Sequence, residues 1–391
     1  MLLHRIRRVT RDGRWIPEID GLRFVAIMSV LLFHLSGELA LRSGRQIPVE
    51  PRFAGLFELI NNGECGVTLF FIISGFVLAL PFARHFLQGA GSVSLRKYYL
   101  RRLTRLEPPY LLSVLLFITL MAGYAHHLSL DELRHGAATA VYLHGVIYGT
   151  MTPINPVSWS LEVEIQFYLA APLFMQMFRI RPALLRRGLL VGLIVCSGFA
   201  QMALVHIPHA SLSILLYAQF FLMGLLLADL YLHGADRIRR SFLWDAAGIA
   251  GMGCALAFHR DFFDIQFLMP WMLTLLCIAA MRGIVVKRVL GNPWIATLGG
   301  MCYSIYLMHF QMIAAIFKIT RRCIFPSYDF LANYLIQIVV TGVPVLAISL
   351  LFYLLVERPC MDPNWPSRLW HWLTGRNPDE ALAFDSGGIS A

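Results

Sequence analysis

Ten apolar runs, each close to the length a helix needs to cross a bilayer, recur along this chain and dictate its fold class. A hydrocarbon core about 30 Å thick takes roughly 20 mostly apolar residues. The runs fall at 22–40, 66–83, 108–124, 160–178, 188–206, 210–232, 242–258, 266–281, 295–317 and 332–356. Backbone amides find no water in lipid, so runs of this length fold as helices. The expectation is an all-α, polytopic transmembrane helix bundle of about ten spans. Charged residues make up 14% of the chain, against near 25% in soluble domains, so no separate soluble domain is expected.

The net charge of +10 raises the possibility of a nucleic-acid partner. The positive residues sit between the apolar runs, where they set topology, so no nucleic acid is expected. With ten spans and a cytoplasmic N-terminus, the cytoplasmic segments collect 25 of the 33 Lys and Arg residues, leaving 8 outside. A weaker stretch at 137–150, interrupted by His144 and Gly145, would make the split 16 to 17 if it crossed. It is therefore read as a re-entrant or interfacial piece on the outer side. Both termini are then cytoplasmic: a basic segment 1–17, a transmembrane domain 18–360 and a short tail 361–391. The tail reads as a brief interfacial helix carrying Trp365, Trp370 and Trp372, followed by disorder. The run from Leu22 stays as an uncleaved anchor, because no small-residue cleavage site follows it. The seven cysteines are scattered without metal-ligand spacing, so no metal is expected.

Ionisable groups inside spans are costly and mark function. Arg23 and His34 are eleven residues apart on the first span. Eleven steps of about 100° bring them to within roughly 20° of one face, with a rise of about 16 Å. Arg23 is near the cytoplasmic surface, where a snorkelling side chain is the plain reading. His34 lies past mid-membrane and is either a satisfied core histidine or a proton-transfer group. In the second span, Ser74-Gly75 within a phenylalanine run favours close helix packing over catalysis. The loop after it carries Arg102 and Arg105, three apart, which either signal topology or bind an anion through their guanidinium forks.

Ser160, Glu164 and Tyr168 stand at i, i+4 and i+8 and line one face of the fourth span. Glu162 is placed nearer the surface and solvated, Glu164 deeper and partnered. In the ninth span Tyr306 and His309 share a face. Glu357, at the cytoplasmic end of the last span, caps or pairs locally. His34, Glu164 and His309 thus fall in the outer half, and Arg23, Arg102 and Arg105 on the cytoplasmic side.

Six separated motifs in order resemble the acyltransferase-3 family of membrane O-acyltransferases, the O-antigen acetylase type. They are Asp20-Gly-Leu-Arg23 with ten residues to His34, Phe70-Phe71-x-x-Ser74-Gly75-Phe76, and Arg102-x-x-Arg105-x-x-Pro108. Trp159-Ser160-Leu-x-x-Glu164-x-x-Phe167-Tyr168, Tyr303-Ser-x-Tyr306-Leu-x-His309 and Glu357-Arg358-Pro359 complete the set. The resemblance covers about residues 18 to 359. It implies transfer of an acyl group, usually acetyl, from acyl-CoA (acetyl-CoA) to a hydroxyl of a cell-envelope glycan, a lipid-linked sugar or an exported small molecule. It further implies that Arg23 and His34 are the essential pair, with Arg102 and Arg105 near the donor. Thr68 stands where the family often has Asp, so no acidic role carries over there. Some relatives add an eleventh helix and an esterase-like domain; this chain is expected to finish the transfer itself or pass the acyl group to a partner.

The expected chemistry has the nucleotide end of acetyl-CoA on the cytoplasmic face and His34 acting as base or nucleophile, with Glu164 or His309 orienting it. The rival from another class is a proton-coupled membrane transporter, which buried His, Glu and Arg also suit. The absence of repeats and of paired broken helices in corresponding halves counts against it. A membrane scaffold in a polysaccharide synthesis complex is the third reading.

Overall fold

The computed structural model describes residues 15–43, 49–125, 129–234, 239–258, 267–362, 365–366 and 374. Within them every apolar run becomes helix, and no strand occurs among the described residues. The main elements are α1 (Pro17–Arg42), α2 (Ala54–Asn61), α3 (Cys65–Gln88), α4 (Leu95–Ala125), α5 (Leu130–Ala140), α6 (His144–Tyr148), α7 (Trp159–Phe174) and α8 (Ala183–Leu204). They continue with α9 (Ile214–Gly234), α10 (Phe242–Phe258), α11 (Met269–Arg282), α12 (Val285–Leu290), α13 (Pro293–Gly300), α14 (Cys302–Thr320) and α15 (Phe330–Cys360). Among the described residues, seven helical stretches are long and apolar enough to cross a membrane, and α10 and α11 are apolar but shorter. This is a multi-pass membrane protein.

Three boundaries differ from the sequence reading. The arginine-rich segment expected as a loop is the first half of α4, which runs unbroken through Pro108 and Pro109. Its Leu, Lys and Arg residues are strong helix formers, so the helix starts three turns before the apolar run. The run 295–317 is two helices, α13 and α14, parted at Met301. The 137–150 stretch forms no span. It holds the end of α5, which opens with a capping box between Ser129 and Glu132, and the five-residue α6. Trp370, Trp372 and residues 1–14 lie outside the described residues.

Small residues set the helix spacing. A β-carbon on Gly75 would collide with the Phe221 carbonyl, and one on Gly224 with the Ile72 carbonyl, so α3 and α9 touch backbone to backbone. Gly299 of α13 likewise lies against the Asp20 carbonyl of α1. Gly66 of α3 lies against the Ala26 carbonyl of α1 in the same way, which sets α1 and α3 side by side where Leu22, Ala26, Leu69, Ile72 and Phe76 are buried together.

Candidate active site

Two polar assemblies lie along α1, one above the other. The lower is a cavity of about 1220 Å³, above the usual several-hundred-Å³ range of ligand pockets. Its wall includes Arg23, Ile27 and Val30 of α1, positions i, i+4 and i+7 of one helical face. Ser74 of α3, Ser160, Glu164 and Tyr168 of α7, and Tyr306 of α14 also line it. Five arginines (Arg23, Arg101, Arg102, Arg105 and Arg358) face two carboxylates, Glu164 and Asp362.

Each lower-site group is positioned locally. Asp20 accepts from Arg23 Nη1 at 2.6 Å and from Trp15 Nε1 at 2.8 Å, which fixes the guanidinium one turn into the helix. Glu164 accepts hydrogen bonds from both Ser74 Oγ and Tyr168 Oη. Gly75 therefore does the close packing expected of the Ser-Gly pair, while Ser74 serves the carboxylate. Arg102 stacks over Tyr98 at 3.8 Å and reaches Tyr168 at 5.4 Å, donating from Nη1 to the Tyr98 carbonyl at 3.0 Å. Arg105 Nε and Arg358 Nε are shielded from solvent and have no hydrogen-bond partner. Tyr306 Oη donates to Val157 O at 2.6 Å and accepts from Ser160 Oγ at 3.1 Å, pinning the start of α7 against α14.

The upper assembly is His34 with His309. Their ring centroids are 5.2 Å apart, and the Phe310 ring closes His34 from the other side at 4.9 Å. His34 is the next member of the α1 stripe after Val30, one turn beyond the cavity wall. Nδ1 of His309 faces two carbonyls, Ile305 O at 3.0 Å and Tyr306 O at 2.9 Å. Carbonyls only accept, so Nδ1 carries the hydrogen and Nε2 keeps its lone pair. That Nε2 is buried and without a partner. The ring nitrogens of His34 have no hydrogen-bond partner among the described residues. An imidazole with open nitrogens beside a fixed lone pair can accept and return a proton.

The structure thus separates what the sequence reading joined. Ser74, Ser160, Glu164, Tyr168 and Tyr306 share the cavity with Arg23, Arg102 and Arg105, whereas His309 alone meets His34. Glu164 is committed to Ser74 and Tyr168. Trp159 lies off the cavity, packed on Tyr217 at 5.2 Å and edge-on to Phe71 at 6.5 Å. Glu162 is corrected: it is 1% exposed rather than solvated, and accepts from the Gly145 amide at 2.7 Å, tying α7 to the cap formed by α5 and α6. Glu357 is buried and accepts from Ser304 N and Oγ at 3.0 and 2.6 Å. In the same cap, outside the spans, His135 and His144 meet nitrogen to nitrogen at 2.8 Å, and burial holds the His144 pKa below its ordinary value.

Two groups escaped the sequence reading. Glu64, the residue before α3, lies within electrostatic reach of both His34 and Tyr217. An acid just outside an apolar run, at the depth of His34, was the available signal. Asp229 sits within an apolar run and binds Arg186, which is fully buried rather than a solvated topology signal. Among the described residues no His, Cys, Asp and Glu cluster could hold a metal ion.

Comparison with known proteins places this geometry in a family. A family profile described as an acyltransferase domain, acyltransferase 3, matches residues 16–354, from the threshold of α1 into the last turns of α15. The chain is 22% identical over 378 residues to O-acetyltransferase OatA of Staphylococcus aureus, an alignment covering 88% of this chain and 57% of that protein. It is 24% identical over 347 residues to peptidoglycan O-acetyltransferase OatA of Listeria monocytogenes, covering 79% and 51% respectively. The chain spans about half the length of the curated relatives it matches. No solved structure matches it. With one profile running from α1 into α15, over most of the chain, the chain belongs to the acyltransferase-3 family.

Proposed function

We propose that this chain is an integral-membrane O-acyltransferase that moves an acetyl group from acetyl-CoA to a hydroxyl of a cell-envelope glycan. The observation carrying this reading is a cavity with surplus arginines whose α1 wall leads, on one helical face, to an uncommitted histidine. The family membership and the O-acetyltransferase names of the relatives support the reaction class. The peptidoglycan named for the Listeria relative supports a glycan acceptor.

Ten crossings with both termini cytoplasmic, in the plasma membrane, fit the basic segments and put the arginine-rich half of α4 inside. Residues 18–360 form the catalytic membrane domain, with short cytoplasmic segments 1–17 and 361–391. The phosphates of acetyl-CoA bind at Arg102 and Arg105, where guanidinium forks suit phosphate oxygens. Arg23, held by Asp20, guides the pantetheine arm along Ile27 and Val30 towards His34.

His34 acts as general base. The His309 ring lies beside it, 5.2 Å between centroids, and an open nitrogen of His34 takes the acceptor's hydroxyl proton. The alkoxide oxygen attacks the thioester carbonyl carbon. The C–S bond then breaks, the ester forms, and the His34 proton passes to the departing thiolate. Glu64 stabilises the transient imidazolium from the outer side.

The test uses full-length protein in liposomes with acetyl-CoA and a soluble glycan acceptor. Acceptor-dependent release of free CoA thiol with equal O-acetyl formation is expected. Release of no thiol, or movement of a solute without acetyl-CoA consumption, would overturn the reading in favour of a carrier.

A further inference from the structure

The cavity's cytoplasmic mouth is built from two ends of the sequence. One jaw is α4, carrying Arg101, Arg102 and Arg105; the other is the end of α15 and the residues after it, carrying Arg358, Met361, Asp362 and Trp365. The jaws are latched: Trp365 Nε1 donates to the Thr104 carbonyl at 2.8 Å, between Arg102 and Arg105. The latch leaves the indole ring lining the cavity.

Arg358 is the distinctive group of the second jaw. Its Nε is shielded from solvent without a partner, as is Arg105 Nε across the mouth. Its neighbour Glu357 offers no relief, because that carboxylate points to Ser304. Asp362 is one carboxylate against four guanidiniums at this mouth. A buried donor left unsatisfied is costly, and two such guanidiniums lining one mouth with an aromatic face beside them match an anionic nucleotide: phosphate at the forks, purine on the ring.

We propose that Arg358 and Trp365 are donor-binding residues, with Arg358 opposing Arg105 across the nucleotide phosphates and the Trp365 indole stacking on the purine. This rests on the acyl-CoA reading above, and extends the donor site to a jaw formed by the C-terminal segment. The pantetheine arm and thioester lie deeper, past Arg23, and do not touch either residue. Selectivity for a nucleotide-bearing donor over a truncated one therefore resides at this mouth.

The test measures kcat and KM of full-length Arg358→Gln, Trp365→Ala and Trp365→Phe with acetyl-CoA and with S-acetyl-pantetheine, which carries neither phosphate nor purine. Arg358→Gln and Trp365→Ala are each expected to raise the acetyl-CoA KM roughly tenfold, as loss of one charged or stacking contact does. Their kcat values and their KM values for the truncated donor stay within about twofold of wild type. Trp365→Phe keeps a ring but loses the N–H latch, and is expected to retain most of the acetyl-CoA affinity. Arg358→Lys, which keeps the charge if Arg358→Gln fails to fold, is expected to fall between wild type and the Gln variant. Equal KM increases for both donors, or loss of kcat with unchanged KM, would overturn the assignment and leave the residues a purely structural part. A wild-type protein that turns over neither donor would instead overturn the acyl-CoA reading itself.

Discussion

Two arginine sites in this molecule meet the same physical problem and resolve it differently. At the junction of α8 and α9, Arg186 is fully buried against Asp229, and Arg187 binds the other carboxylate oxygen at 2.6 Å. Arg186 also donates to the Ile180 carbonyl, leaving a single nitrogen, Nη2, without a partner. At the cavity mouth, Arg105 and Arg358 are half-buried, and the shielded Nε of each finds no hydrogen-bond partner among the described residues. A structural ion pair supplies its own counter-charge, whereas a ligand site waits for one. Neutralisation within the chain, rather than burial alone, separates arginines that hold the fold from arginines that hold a substrate.

Removing the counter-charge at the first site has the largest expected effect on the fold. Asp229→Ala strands Arg186 in an apolar interior, and the cost is about 3–5 kcal/mol. Thermal unfolding in detergent checks this, with residual activity per folded molecule unchanged. An equal loss in both measurements would erase the distinction. Arg105→Gln tests the other side. The acetyl-CoA KM is expected to rise roughly tenfold, as for loss of a charge-assisted hydrogen bond. The melting temperature holds or rises, because an uncompensated charge is gone. A large fall in melting temperature would make Arg105 another structural group. A smaller effect is expected of Tyr306→Phe, which removes the hydrogen bond to Val157 and costs about 1 kcal/mol. Its kcat falls by a few-fold as the start of α7 relaxes, with KM for acetyl-CoA little altered.

Acidification probes the cap of α5 and α6, where neither ionic solution applies and His135 and His144 share one hydrogen bond. The folded His144 pKa is depressed, so its contribution to stability is present above the unfolded value of about 6.5 and is lost as pH falls below it. Amide exchange in α5 and α6 is expected to quicken between pH 7 and pH 5, while the α1–α3 core is unaffected. Unchanged exchange in the cap would show that burial of neutral His144 does not contribute to its stability.

How legible all this was depends on the range of the interaction. Helix positions followed from the length of apolar runs, a property each segment carries alone. The faces also followed: Ser160, Glu164 and Tyr168 do line one wall, because a 3.6-residue period fixes azimuth. Level along the bundle was legible only in part: His34 and His309 do meet, but Glu164, expected beside them, lines the lower cavity with the arginines. Partners were not. That Ser74 serves Glu164, 90 residues away, or that Glu162 ties down Gly145 rather than sitting in water, depends on which helices are neighbours. Periodicity within one helix says nothing of that. The start of α4 was missed because apolarity, used to find spans, is blind to a helix that continues into water. Arg186 was misread for the opposite reason, since a charge beside a span looks the same whether it meets solvent or an acid on another helix.

The central claim is that His34 handles the proton while the arginine mouth only holds the donor. The most direct test compares His34→Ala with wild type in single-turnover acetyl transfer to the glycan, alongside CoA binding. Loss of a positioned general base is expected to slow transfer by about 10²–10⁴-fold, with CoA affinity within about twofold of wild type. Near wild-type transfer by a folded His34→Ala protein would contradict the account.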